Sequence, residues 1–86
     1  MRFRRTKRFQ RAYKKLSQED KDRADKALSF LAQDMQYPSL RVKKIQGTHD
    51  IFEARASDAI RFTFQLEDDL IVLHVIGRHD EVLKKP

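Results

Sequence analysis

The sequence predicts an α+β fold in which an N-terminal strand leads into a two-helix hairpin packed on one face of a small, mainly antiparallel, twisted sheet. Apolar residues recur at helical spacing between positions 9 and 35, and at a period of two from position 40 onward. Met1 and Phe3 alternate with polar residues, which predicts the opening strand. With 86 residues the chain has room for one modest core, so we expect a single domain spanning residues 1–86.

Two helices are predicted in the first half of the chain. The apolar stripe of the first, at positions i, i+3, i+4 and i+7, consists of Phe9, Ala12, Tyr13 and Leu16. Ser17 followed by Asp20 resembles a capping box and predicts the start of the second helix. The apolar face of that helix consists of Ala24, Ala27, Leu28, Leu31 and Met35. Tyr37-Pro38 should end it, because the residue before a proline avoids helical geometry.

The second half of the chain has the pattern of a strand meander. Residues 40–43 alternate in polarity, and the turn residues 47–50 lead into a strand at 51–56. A turn at Ser57-Asp58 precedes the clearest alternation, residues 59–66. Residues 70–76 are apolar on both faces, which is typical of a central strand, and Gly77 should end it. We expect the helices to cover one face of the sheet and the polar face to stay open.

Composition limits the classes of function. The chain has no Cys, which excludes a disulfide-stapled secreted module, a thiolate zinc site and a Cys nucleophile. No apolar run is long enough to span a membrane and the basic N-terminus lacks a signal-peptide core, so we expect a cytoplasmic protein. The net charge is +6, and residues 1–44 hold 14 of the 19 Lys and Arg. This basic half favours nucleic acid as a partner, although a solvated face that aids solubility is the alternative.

Two arginines and one short segment are candidates for chemistry. Arg55 and Arg61 flank a predicted hairpin turn, so their side chains can converge on the open face and bind phosphate through their planar forks. Alternatively, Arg55 forms a surface salt bridge with Glu53 or Asp58. After the last strand, a cation, an imidazole and two carboxylates are consecutive: Arg78, His79, Asp80 and Glu81.

The three histidines differ in what their positions indicate. His79 can act as a general acid or base because its proton affinity lies near neutral pH. His74 interrupts an apolar strand and is interpreted as a satisfied, partly buried sheet residue. His49 lies in a turn, and the spacing of the three does not fit a zinc site.

The segment 51–65, IFEARASDAIRFTFQ, followed by an acidic turn, an apolar strand and GRHDEV, resembles the RelE/ParE superfamily of bacterial toxins. The resemblance covers nearly the whole chain, since the helices around Phe9 and Leu28 and the turn at Gly47 fall where that family has them. It implies a RelE-like fold. RelE-like members enter the ribosomal A site and cut mRNA without a metal ion, whereas ParE-like members share the fold and target DNA gyrase.

The resemblance also implies roles for individual residues. Arg61 lies where RelE-like enzymes place an arginine that stabilises the attacked phosphate, and Arg55 lies at a basic catalytic position. Arg78 matches a basic residue that follows the last strand, and His79 resembles the histidine of the YafQ-like branch. Leu83 stands where active members usually have Tyr or Phe, and the chain stops before a C-terminal helix that some members carry.

The expected function is that of a toxin component that inhibits translation as a ribosome-dependent mRNA endonuclease without metal or cofactor. The residues expected to hold ribosomal RNA are Arg8, Arg11, Lys14, Lys15, Lys43 and Lys44. Candidate proton acceptors besides the histidine are Asp80, Glu81 and Glu53. A small acidic antitoxin is the expected protein partner, and the toxin is a monomer or bound to it. The alternatives are a non-catalytic, ParE-like inhibitor of gyrase and an inactive RNA-binding homologue.

Overall fold

A computed structural model describes residues 2–86 and contains five strands, three α-helices and one 3₁₀ turn. Met1, predicted to begin the opening strand, lies outside the described residues. The strands are β1 (Arg2–Arg5), β2 (Lys43–Lys44), β3 (Ile51–Arg55), β4 (Ile60–Glu67) and β5 (Leu70–Arg78). The helices are α1 (Lys7–Lys14), α2 (Gln18–Gln33) and α3 (His79–Lys84), and the 3₁₀ turn spans Pro38–Leu40.

The strands form one sheet in the order β1-β5-β4-β3-β2. β1 runs parallel to β5, and all the other neighbouring strands are antiparallel. Because β1 and β5 are parallel, the chain needs a long connection between them, which the intervening helices and strands provide. The antiparallel neighbours are joined by shorter connections. The α+β fold predicted from the sequence is confirmed, and β5 is an interior strand as its apolar faces predict.

Both main helices begin at side-chain caps. The Thr6 hydroxyl accepts a hydrogen bond from the Phe9 amide at 3.1 Å, and the Ser17 hydroxyl accepts one from the Asp20 amide at the same distance. Each cap satisfies an amide that the first helical turn leaves without a partner. The predicted start of α2 is therefore correct. The helices bury Phe9, Leu28 and Leu31 against one face of the sheet.

Three predicted element boundaries are wrong. The helix α2 ends at Gln33, ahead of Met35 and Tyr37-Pro38, because Asp34 adopts extended backbone geometry. Residues 40–42 do not belong to a strand, since Leu40 lies in the 3₁₀ turn and is buried in the core. β2 is therefore reduced to two residues. Gly77 does not end β5, which continues to Arg78 through pairing with the start of β4.

The second face of the sheet is partly covered, contrary to the prediction that it stays open. The six-residue helix α3 follows β5 directly and buries Val82. Beyond α3, the Thr63 hydroxyl donates to the Pro86 carbonyl oxygen at 2.9 Å. Glu53 and Thr63 on this face are consequently buried. Within residues 2–86, no helix is both long and apolar enough to cross a membrane.

Candidate active site

A tight turn between β3 and β4 organises the candidate site. The amides of Ala56 and Ser57 both donate to the Ile60 carbonyl oxygen, at 3.0 and 3.2 Å, and the Ser57 hydroxyl accepts from the Ile60 amide. The turn sets the register so that Arg55 lies directly opposite Arg61. Since paired residues project to the same side of a sheet, the two arginines share the face opposite α1 and α2. This pairing agrees with the expectation from the sequence.

The arginine side chains bind the turn instead of converging on an open surface. Nη1 of Arg61 donates to the carbonyl oxygens of Asp58, at 3.0 Å, and Ile60, at 3.2 Å, and also to that of Ser57. Arg55 forms an ion pair with the Asp58 carboxylate. Of the two alternatives for Arg55, the structure therefore has the salt bridge with Asp58. Both guanidinium groups are preordered by neighbours only a few residues away.

The end of β5 brings His79 to the same turn. The His79 amide donates to the Ala59 carbonyl oxygen at 3.2 Å, and Arg78 pairs with Ile60 across the strands. His79 is the first residue of α3, and Arg78 is the cap residue that precedes it. Both side chains are exposed. Arg55, Arg61 and His79 thus all contact the four-residue turn 57–60, although they come from three different strands or strand ends.

Gly77 has a role that its position in the sequence does not reveal. It lies directly across the strands from Arg61. A Cβ atom at Gly77 would lie 3.6 Å from Cγ2 of Val82 and 3.7 Å from Oε2 of Glu81. The missing side chain therefore leaves room for α3 to fold back over the sheet, and it places the Glu81 carboxylate on the face that bears Arg61.

The other two candidate proton acceptors lie in contrasting environments. Asp80 is exposed in the first turn of α3. Glu53 is only 3% exposed and pairs across the strands with Thr63, two residues farther from the turn than Arg55. Its Oε1 lies 3.7 Å from Nζ of Lys43, while its Oε2 is buried without a hydrogen-bond partner among residues 2–86.

The residues predicted to bind RNA divide into two groups. Arg8 and Arg11 on α1 and Lys15, the residue directly after it, line a groove of about 460 Å³ together with Arg78, and Lys14 is exposed at the end of α1. Arg8 also donates to the Lys85 carbonyl oxygen. On the opposite edge of the sheet, Lys43 and Lys44 are paired with Glu53 and with Asp50, respectively. The first group therefore adjoins the candidate site, whereas the second is partly neutralised.

The interpretation of His74 as a satisfied sheet residue is wrong. His74 is an extra residue in β5, where Thr63 pairs with Val75 but the next residue of β4 pairs with Leu73. Its Nε2 is buried without a hydrogen-bond partner in the described part of the chain. Burial lowers the pKa of His74, and the nearby Arg8 and Arg4 lower it further. Nothing in the sequence pattern distinguishes this bulge from a regular strand position.

Comparison with known proteins gives a clear result for the fold. The sequence matches no protein-family model and no curated protein. Among solved structures, a copper-bound mutant toxin from Helicobacter pylori matches with a TM-score of 0.81 at 19% identity, covering 95% of this chain and 98% of that one.

Two further toxin structures have the same architecture. YafQ from Escherichia coli matches with a TM-score of 0.78 at 16% identity, covering 94% of this chain and 97% of YafQ. The RelB-RelE antitoxin-toxin complex from Methanococcus jannaschii matches with a TM-score of 0.74 at 18% identity, with both chains covered completely. The helix hairpin, the five-stranded mixed sheet and these likenesses together show that the chain has the RelE/ParE toxin fold.

Proposed function

We propose that this chain is the toxin of a toxin-antitoxin pair and that it cleaves mRNA on the ribosome. The observation that carries the proposal is the meeting of Arg55, Arg61 and His79 at the turn 57–60. Two guanidinium groups on a turn that also binds the backbone of a histidine are suited to transfer of a phosphoryl group between oxygen atoms of RNA. The fold supports the proposal by analogy, because the similar structures are of toxins.

In the proposed reaction, the 2′-oxygen of a ribose attacks the adjacent phosphorus atom while the bond to the 5′-oxygen of the next nucleotide breaks. The 2′-hydroxyl proton passes to an acceptor, the leaving 5′-oxygen receives a proton, and a 2′,3′-cyclic phosphate forms. Negative charge accumulates on the phosphate oxygens, where Arg61 and Arg55 stabilise it. Hydrogen bonds from arginine to phosphate are stronger than those to neutral carbonyl oxygens, so Arg61 can exchange its turn contacts for the substrate.

His79 is the proposed proton-transfer group, since its backbone amide is bound to the turn that holds both arginines and its side chain is exposed. Among the carboxylates, Glu81 is the best placed acceptor because it lies over Gly77, directly across from Arg61. Asp80 is its neighbour in the same helical turn. The burial of Glu53 makes it a weaker candidate for direct contact with RNA.

The proposed partners follow from the charge of the molecule. A net charge of +6, concentrated in the first half, favours ribosomal RNA during cleavage and a small acidic antitoxin at rest. RelE toxins have been solved in complex with RelB antitoxins, which supports the second partner by analogy.

Single-turnover cleavage of mRNA on purified ribosomes tests the proposal. We expect Arg61→Ala to slow cleavage by on the order of 100-fold, as for loss of a preorganised donor in the transition state. His79→Gln keeps hydrogen-bonding capacity but cannot titrate, and should slow cleavage by roughly 100- to 10,000-fold. Lys7→Ala, an exposed substitution on α1 away from the turn, is the matched control and should cleave normally.

Two results would overturn the proposal. If folded Arg61→Ala and His79→Gln variants both cleave at the wild-type rate, the turn 57–60 is not the active site. If the wild-type protein leaves ribosome-bound mRNA intact but inhibits DNA supercoiling by gyrase, the ParE-like alternative is the correct one.

A further inference from the structure

A second groove lies beside α2, on the other side of the turn 57–60. It has a volume of about 720 Å³ and is bounded by α2, the 3₁₀ turn and the segment 55–59. The cations in its wall come from three separate elements and are Arg23, Lys26, Arg41 and Arg55. This groove is distinct from the one between α1 and α3. Among its cations, only Arg55 has a role in the proposed reaction.

The charges in this groove do not balance. Its two carboxylates are already paired, Asp20 with Arg23 at 3.9 Å and Asp58 with Arg55. Lys26 and Arg41 have no carboxylate within 4.0 Å among residues 2–86. The uncompensated charge in the groove is therefore positive, and it comes from these two side chains.

Arg41 is held in an unusual backbone conformation. Its φ of 46° and ψ of 48° are left-handed, a region that residues other than Gly, Asn and Asp rarely adopt. The Arg41 amide donates to the Pro38 carbonyl oxygen, which fixes this conformation at the end of the 3₁₀ turn. Strain of this kind is often found where a side chain is presented to a ligand.

An aromatic pair adjoins the two free cations. The rings of Phe30 and Tyr37 stack with centroids 4.1 Å apart, and Nζ of Lys26 lies 5.8 Å from the Phe30 centroid. Tyr37 is 38% exposed, which is high for a large apolar ring. A shallower recess of about 430 Å³ lies next to Tyr37 and continues the surface past Arg41, with Met35, Pro38 and Val42 in its wall.

We infer that this groove is a docking site for an acidic, partly apolar segment of a partner protein. Carboxylates of the segment would pair with Lys26 and Arg41, and an apolar side chain would pack on the exposed ring of Tyr37. RNA is the less suitable occupant, because the surface past Arg41 is formed by Met35, Pro38 and Val42, whose apolar atoms can pack on apolar side chains but offer no partner to a phosphate backbone. Assigning the segment to the antitoxin rests on the proposed function, whereas the groove's preference for an acidic segment does not.

Occupancy of the groove would affect the candidate active site. Asp58 holds Arg55 from within the groove wall. An incoming carboxylate competes with Asp58 for that guanidinium group, because both are anions seeking the same donors. A docked acidic segment would therefore bind the guanidinium group of Arg55 from the groove. Arg55 would then be restrained from binding the phosphate of RNA in the candidate active site.

Fluorescence anisotropy with a short labelled peptide of glutamate and leucine tests the inference without any cleavage assay. We expect Lys26→Glu and Arg41→Glu each to weaken binding by about tenfold, the usual scale for reversing a charge at a complementary contact. Lys7→Glu carries the same change of charge on a distant face of α1 and should weaken binding by less than about twofold at physiological salt. A peptide with glutamine in place of glutamate should bind the wild-type protein at least about tenfold more weakly.

Three outcomes would overturn the inference, given variants that melt like the wild type. Equal losses for Lys7→Glu and Lys26→Glu would mean general attraction to a cation-rich protein. If the glutamine peptide bound the wild-type protein as tightly as the glutamate peptide, the groove would not select for negative charge. If Lys26→Glu and Arg41→Glu abolish binding of an oligouridine RNA but not of the peptide, the groove is a nucleic-acid surface. Each result is independent of whether the chain cleaves mRNA.

Discussion

His74 differs from the other two histidines because β5 contains an extra residue at this point. At this bulge the imidazole is half-buried and lies near Arg8 and Arg4. Within the described residues, only the Glu67 carboxylate raises the pKa of His74. Desolvation and the two guanidinium groups all disfavour the charged imidazole, so its pKa in the folded protein lies below its ordinary value.

This shift predicts that stability falls as the solution is acidified. When the pH drops through about 6.5, the unfolded chain takes up a proton at His74 that the folded chain still refuses. The unfolded state is then favoured, until the pH reaches the lower pKa of the folded state. We expect the urea-derived free energy of unfolding to decline less between pH 7 and pH 5 in His74→Gln than in the wild type. His49→Gln, at an exposed turn, is the control, and an unchanged slope in His74→Gln would contradict the prediction.

For Arg55 and Arg61, the sequence predicts that the two residues pair across the strands but not which groups their side chains bind. Pairing depends on the turn position and on alternation along β4, and both are visible in the residues. The choice of partners depends on the turn conformation, which aims the Asp58 carboxylate at Arg55 and three carbonyl oxygens at Arg61. A short turn admits several conformations, so alternation alone cannot supply this information.

Among the elements, α3 shows why short terminal helices escape prediction. Its six residues contain too few apolar positions to define a helical period, and it has no side-chain cap. It is stabilised instead by packing over Gly77, which brings Val82 against the sheet. By contrast, α2 has a strong local signal in Ser17 and in the periodic apolar residues from Ala24 to Leu31, and its start was predictable.

Gly77 provides a test of how α3 is seated. The contacts that a Cβ would make, at 3.6 and 3.7 Å, are ordinary van der Waals distances, and the backbone of Gly77 is not left-handed. Gly77→Ala should therefore raise the free energy of unfolding by about 0.5 kcal/mol, by restricting the unfolded chain. Gly77→Leu should instead displace α3 and lower the free energy of unfolding by roughly 1–3 kcal/mol through overpacking. Urea denaturation measures both, and hydrogen exchange at Val82 reports the position of the helix.

Comparing Gly77→Leu with Gly77→Ala separates the effect of packing against α3 from the effect of replacing glycine on the unfolded chain. If Gly77→Leu were as stable as Gly77→Ala with the Val82 amide still protected, α3 would not depend on the space above Gly77. The partial cover that α3 gives to the second face would then need another explanation.

For the whole molecule, the unequal distribution of charge places the basic surface beside the candidate site. β1 pairs only with residues 70–73 of β5, so the rest of β5 borders the groove between α1 and α3. Arg11, Lys15 and Arg78 line that groove and have no ion-pair partner within residues 2–86. The basic character of residues 1–44 was evident from composition, but its convergence with the end of β5 required the fold.

This arrangement predicts that the proposed binding to ribosomes depends on the groove-facing side of α1 and on salt. Reversing Arg11 and Lys15 to glutamate removes two phosphate contacts and should reduce the slope of log affinity against log salt by roughly 1.5–2. Affinity measured by co-sedimentation at physiological salt should fall by at least about tenfold. Lys7→Glu, on the same helix but outside the groove wall, should have the smaller effect of an altered net charge. If it costs as much affinity per charge as the double reversal, attraction is spread over the whole basic half, and the groove between α1 and α3 has no special part in placing the chain on the ribosome.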